Sequence, residues 1–153
     1  MKKPLILIAE DHAESREFLK DKLEKSHPFQ TLTATDGKEA LKSLLDHDGF
    51  WPFSNHKIAC VILDHSMPNM TGLELMAHIH HSSVSKAIKQ IPIIVWTTYL
   101  ADKELWRSPV KKGYITAFLS KPHDEDHLFK LLHRICVKKE ASLIKRETQE
   151  RFF

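Results

Sequence analysis

Three short stretches of the chain are apolar at every position instead of alternately: Leu5–Ala9, Ile58–Leu63 and residues 91–96. Their shortness and β-branched content predict strands covered on both faces, as in a parallel sheet. Two weaker stretches, Gln30–Ala34 and Ala117–Ser120, read as further strands. Between them the apolar period lengthens to that of a helix. Residues 13–26 place Leu19 and Leu23 one turn apart, residues 37–45 offer Ala40, Leu41, Leu44 and Leu45, and residues 72–79 offer Leu73, Met76 and Ile79. A fourth helix is expected within 100–112, with Pro109 kinking or ending it. Asp124 reads as the N-cap of a fifth, whose apolar positions are Leu128, Leu131, Leu132 and Ile135. Five strand–helix alternations predict an α/β protein with a doubly wound five-stranded parallel sheet and helices on both faces.

Composition changes this picture little. A chain of 153 residues fits one domain with a real core. The net charge of +3, with acids and bases intermixed, gives no basic face for nucleic acid. No apolar stretch is long enough to cross a bilayer. The Lys2-Lys3 start is no signal peptide, because Glu10 and Asp11 interrupt the apolar run. Cys60 and Cys136 sit among apolar neighbours and read as thiols in a reducing cytoplasm.

In doubly wound sheets ligands bind beyond the carboxyl ends of the strands. Glu10 and Asp11 follow the first strand, Asp64 the third, Thr97 and Thr98 the fourth, and Lys121-Pro122 the fifth. Two like charges 4 Å apart repel by about 4 kcal/mol at an effective dielectric near 20. Three converging carboxylates therefore call for a hard cation, and Mg2+ suits one or two of them while keeping waters. Beside such a cation an aspartate can act as a nucleophile toward phosphorus. Lys121 would supply positive charge to phosphoryl oxygens, and Thr97 a hydroxyl donor.

The set Glu10-Asp11, Asp64 with Met67, Pro68, Met70 and Gly72, then Pro92 through Thr97, and finally Lys121-Pro122 resembles the receiver domain of bacterial two-component response regulators. The resemblance covers residues 4–137, and its motifs recur in order at successive strand ends. It implies a flavodoxin-like strand order 2-1-3-4-5. It also implies that Asp64 accepts a phosphoryl group from a histidine kinase or a histidine phosphotransfer protein. Asp11, Asp64 and the Ser66 carbonyl would hold Mg2+, with Glu10 acting through water. Thr97 would turn toward the phosphoryl group, Phe118 would follow as an aromatic switch, and the Lys121-Pro122 bond would be cis.

Three departures stand out. Thr98 replaces the usual small residue, and Tyr99 could overhang the acyl phosphate. Together with His65 they are candidates for tuning its lifetime, which is expected to be long. Tyr114-Ile115 replace the usual Gly-Ala, which leaves in doubt the shape of the signalling face built from the fourth helix, fifth strand and last helix. The connection 46–57 carries Trp51 and Phe53, which would pack locally or meet a partner.

Carboxylates at loop starts are usually a solvated rim, and His65 a solvent-facing loop residue. His78, His80 and His81, three of eleven histidines, read as a polar helix face and not as zinc ligands. Trp96 is assigned to the core and Trp106 to a semi-buried surface. The domain is expected at 1–137. Residues 138–153 are read as an extension of the last helix that frays, with a docking role for Phe152-Phe153 the rarer case.

The chain is expected to be a single-domain, chemotaxis-type regulator, not an enzyme beyond its own phosphorylation and dephosphorylation, whose output is binding an unknown downstream protein. A weak homodimer through the signalling face is a further expectation. The alternatives are a phosphorelay carrier and a degenerate receiver that binds without being phosphorylated. A haloacid-dehalogenase-type phosphatase would need a second Asp where Ser66 stands. A flavodoxin-like cofactor site would be repelled by Glu10-Asp11.

Overall fold

The computed structural model describes residues 3–48, 57–98, 103–121 and 125–153. Five parallel strands form one sheet in the order β2-β1-β3-β4-β5: β1 (Leu5–Ala9), β2 (Gln30–Ala34), β3 (Ile58–Leu63), β4 (Ile93–Thr97) and β5 (Ala117–Ser120). The expected architecture and strand order are both observed. Every residue of β1 and β4 is buried, which is why these strands read as unbroken apolar runs. β4 begins two residues later than expected, because Pro92 lacks an N–H and offers only its carbonyl, to the Val61 N–H at 2.9 Å.

The helices are α1 (Ala13–Lys25), α2 (Gly37–Asp46), α3 (Gly72–His81), α4 (Lys86–Lys89), α5 (Arg107–Lys111), α6 (Glu125–Cys136) and α7 (Ala141–Phe152). Side chains of α1 and α6 bury against Ile6, Ile8, Ile62 and Ile94 on one face of the sheet. Those of α2, α3, α4 and α5 bury against Leu7, Val61, Leu63 and Val95 on the other. Three starts are capped by side chains: Asp36 accepts from the Glu39 N–H, Thr71 from the Glu74 N–H and Ser85 from the Ile88 N–H. Pro109 neither kinks nor ends α5. It occupies the first turn, where its missing N–H costs no helical bond.

Two expectations are corrected. Trp106 is fully buried, not half-exposed, and packs beside Phe118 under the loop that follows β3. The tail is not an extension of the last helix. The chain turns at Lys139, whose φ of 59° lies in the left-handed region. Arg134 ties the turn by donating to Glu140 at 2.7 Å and to Glu147 at 3.1 Å. The new helix α7 then packs against α5, α6 and β5, the face expected to signal or dimerise. Ile144, Thr148 and Phe152, spaced i, i+4, i+8, form its inner stripe. The Thr148 hydroxyl donates to the Thr116 carbonyl at 2.7 Å, so α7 covers the backbone at the β5 edge of the sheet.

Trp51, Phe53, Tyr99, Pro122 and Asp124 lie outside the described residues, and with them the expectations that concern them.

Candidate phosphoryl-transfer site

The reactive side chains stand on or just past the last rungs of their strands, and backbone bonds hold them there. The Glu10 N–H donates to the Ala34 carbonyl at 3.0 Å, the Asp64 N–H to the Ala9 carbonyl at 3.0 Å, and the Lys121 N–H to the Thr97 carbonyl at 2.8 Å. Thr97 itself is the buried final residue of β4. Arg16, in the first turn of α1, donates to the carbonyls of Glu10 and Asp11 at 3.0 and 3.2 Å and so braces the acidic turn. No local pattern in the sequence singled Arg16 out.

The loop after β3 is held at both ends. The Gly72 N–H donates to the His65 carbonyl at 3.0 Å, and the Gly37 N–H to that of Met70 at 3.1 Å. Asn69, at a φ of 64°, donates its amide to Asp36 at 2.7 Å. A Cβ on Gly72 would stand 2.6 Å from the Asp64 carbonyl oxygen, so only glycine lets α3 begin this close to Asp64.

Oxygens of Glu10, Asp11 and Asp64 lie within 4.8 Å of one another, with Glu10 and Asp64 buried and Asp11 exposed. Among the described residues no other three His, Cys, Asp or Glu side chains converge in this way. The Lys121 ammonium sits 2.7 Å from Glu10 and 3.5 Å from Asp64, over the Trp96 ring at 5.0 Å from its centroid. Four of the expected site residues are therefore brought together. Thr98 is exposed and, with Phe18, Trp96 and Lys121, lines an open cleft of about 320 Å³ beside them. Ser66 stands exposed in the loop.

Burial pushes the Glu10 carboxyl up from 4.5 to about 7. A hydrogen bond with Asp64 and its charge add to the rise, and Lys121 opposes it. A carboxyl raised in the folded state holds its proton there between about pH 4.5 and 7 while the unfolded chain has lost it. Its stabilising contribution is therefore complete below pH 4.5 and gone above about pH 7. Urea unfolding of the metal-free protein should show a loss of at most about 3 kcal/mol across that window, and Glu10→Gln should flatten it. An unchanged slope in the variant would refute this assignment.

His65 is not the solvent-facing residue expected. It is half-buried, its ring edge-on to Trp106 at 5.9 Å between centroids, and its Nδ1 has no hydrogen-bond partner among the described residues. The Trp106 Nε1 is likewise buried without one. Leaving a buried polar atom unpaired costs roughly 1–3 kcal/mol. Phe118 is half-buried between Trp106, at 6.4 Å, and Phe152 of α7, at 5.6 Å. His80 stacks on Tyr114 at 3.8 Å, which gives the histidine face of α3 a packing role.

The family model described as the response regulator receiver domain matches residues 6–133. The CAI-1 autoinducer sensor kinase/phosphatase CqsS of Vibrio cholerae is 32% identical over 80% of this chain, which spans only 16% of that kinase's length. The two-component response regulator ORR3 of Oryza sativa is 26% identical over 88% of this chain and 92% of its own. The response regulator TrrA of Thermotoga maritima, solved in complex with Mg(2+)-BeF, superposes with a TM-score of 0.65 at 26% identity, covering 86% of this chain and 98% of that one. Among the described residues no helix is long and apolar enough to cross a membrane. With the family model matching from β1 into α6, the chain belongs to the response regulator receiver domain family.

Proposed function

We propose that this protein is a phosphorylation-dependent switch that takes a phosphoryl group from a histidine of a kinase or phosphotransfer protein onto Asp64. The observation that carries this reading is the convergence of Glu10, Asp11, Asp64 and Lys121 at the carboxyl ends of separate strands. In the transfer an Asp64 carboxylate oxygen forms a bond to phosphorus as the donor's phosphorus–nitrogen bond breaks, leaving an acyl phosphate and a free imidazole. The Lys121 ammonium, already within reach of Asp64, turns to the phosphoryl oxygens. The Thr97 hydroxyl donates to the same group, and Phe118 follows it inward.

The residues fit a resident Mg2+. Glu10, Asp11 and Asp64 would hold it with the Ser66 carbonyl, the three carboxylates offering hard oxygen ligands. Burial of Glu10 at a pKa of about 7 marks a pocket short of positive charge, which a divalent cation relieves. When bound, the ion neutralises charge on the transferring group. His65, Thr98 and Tyr99 would tune the lifetime of the phosphoryl state. Phosphorylation adds about −1.5 to −2 charges and shifts a two-state equilibrium toward a form that binds a downstream protein. Placement in the cytoplasm belongs to this reading and is supported by two buried free thiols, Cys60 and Cys136.

The test is mass spectrometry after incubation with Mg2+ and a small acyl-phosphate donor. One phosphoryl group should map to Asp64, and chelating the metal should prevent it. A protein that gains no mass under these conditions, or gains it elsewhere, would overturn the proposal.

A further inference from the structure

We propose that α7 is an intramolecular gate over the α5–β5 face, docked in the resting state and loosened when Asp64 is phosphorylated. The inference rests on the proposed function for its trigger and on the packing of α7 for its output.

An unbroken line of rings joins the site to this helix. His65, next to Asp64, meets Trp106 at 5.9 Å. Trp106 meets Phe118 at 6.4 Å, and Phe118 meets Phe152 edge-on at 5.6 Å. A second link runs along β5, where Phe118 stands three residues before Lys121, the cation that bridges Glu10 and Asp64. Phe118 thus stands on the strand that carries Lys121 and touches the gate through Phe152. A cleft of about 170 Å³ lined by Lys103, Phe118, Ser120, Arg151 and Phe152 opens beside it.

α7 is held by a small set of side-chain bonds and two buried residues: Arg134 donates to Glu147 at 3.1 Å, and the Thr148 hydroxyl donates to the Thr116 carbonyl at 2.7 Å. Ile144 and Thr148 are its buried residues. Gln149 donates to the Val110 carbonyl at 3.1 Å, and Lys103 lies over the Phe152 ring at 4.9 Å. Drawing Phe118 inward takes from Phe152 its edge-on partner and weakens the last turn of α7. Release would uncover the Thr116 carbonyl and the apolar side of α5 for a partner. His65 Nδ1 and Trp106 Nε1, which have no hydrogen bond in the resting arrangement among the described residues, lie along the same line of rings.

Linkage makes the gate testable from its far end: if occupying the site loosens α7, loosening α7 must tighten binding at the site by the same factor. The probe is beryllofluoride with Mg2+, titrated into wild type, Phe152→Ala and Gln149→Ala. The second variant keeps the aromatic line and removes only the α7–α5 bond. Both variants are expected to bind the probe about fivefold more tightly. In wild type the amides of residues 141–152 should lose hydrogen-exchange protection when the probe binds. Equal affinities in all three proteins, or unchanged protection of α7, would overturn the gate while the switch stands. A wild type that does not bind the probe at all would overturn both.

Discussion

Trp106→Ala should lower the unfolding free energy by about 3–5 kcal/mol, the usual cost of emptying a large buried aromatic site. The indole is fully buried and touches three separate parts of the fold. His65 packs on it from the loop after β3, Phe118 from β5, and its Cζ2 lies 3.3 Å from where a Gly72 Cβ would be, at the start of α3. His65 and Gly72 cannot close the gap without dragging the Asp64 loop, which limits relaxation on that side. A domain with 5–15 kcal/mol in total would keep only part of it. Trp106→Phe is expected to cost much less, because it keeps an aromatic ring and removes the unpaired indole N–H. Urea melts followed by circular dichroism measure both. A Trp106→Ala loss under 1 kcal/mol, on the order of a surface change, would show that the ring is not a structural hub.

The second large effect is at Asp64. Asp64→Asn should reduce phosphoryl uptake from a small donor by at least about a hundredfold, since an amide oxygen is a poor nucleophile and among the described residues no other carboxylate stands in its place beside Lys121. Asp11 is exposed, and Glu10 is engaged by Lys121 at 2.7 Å. The same change has a second signature. Asp64 contributes to the raised pKa of Glu10 through both a hydrogen bond and its charge. Without that charge Glu10 should titrate nearer the ordinary carboxylate range, and the pH window over which the metal-free protein loses stability should narrow. Cation titration followed by Trp96 fluorescence, with the ring 5.0 Å from the Lys121 ammonium, should show weaker binding in the variant. Retained uptake in Asp64→Asn would reassign the phosphoacceptor.

Much of this was legible in the sequence, for physical reasons that also explain the gaps. β1, β3 and β4 declared themselves because burial on both faces keeps every position apolar up to the site-facing end of β4 at Thr97. The cluster was legible because Glu10, Asp64, Thr97 and Lys121 each end or follow a strand, so finding the strands shows which side chains converge. Trp106 reads as semi-buried because Glu104, Arg107 and Ser108 surround it, whereas its burial comes from β5 and the Asp64 loop, which sequence neighbours do not report. α4 is a four-residue helix, too short to show a period, although Ser85 was a readable cap. Mixed charges and few apolar residues make the tail read as a fraying extension, and the polar Thr148, whose hydroxyl donates to the Thr116 and Ile144 carbonyls, hides the inner stripe of α7. The spacing of residues 144, 148 and 152 was the available signal.

The reactive groups hang on the final rungs of parallel strands, and this has a consequence for how the molecule fails. A slip of β5 by one residue would carry Lys121 about 3.3 Å along the strand and turn it to the opposite face. A sheet in which β5 has slipped cannot then keep the ammonium within reach of Asp64. Binding of a small anion mimic would serve as a titration of β5 held in register.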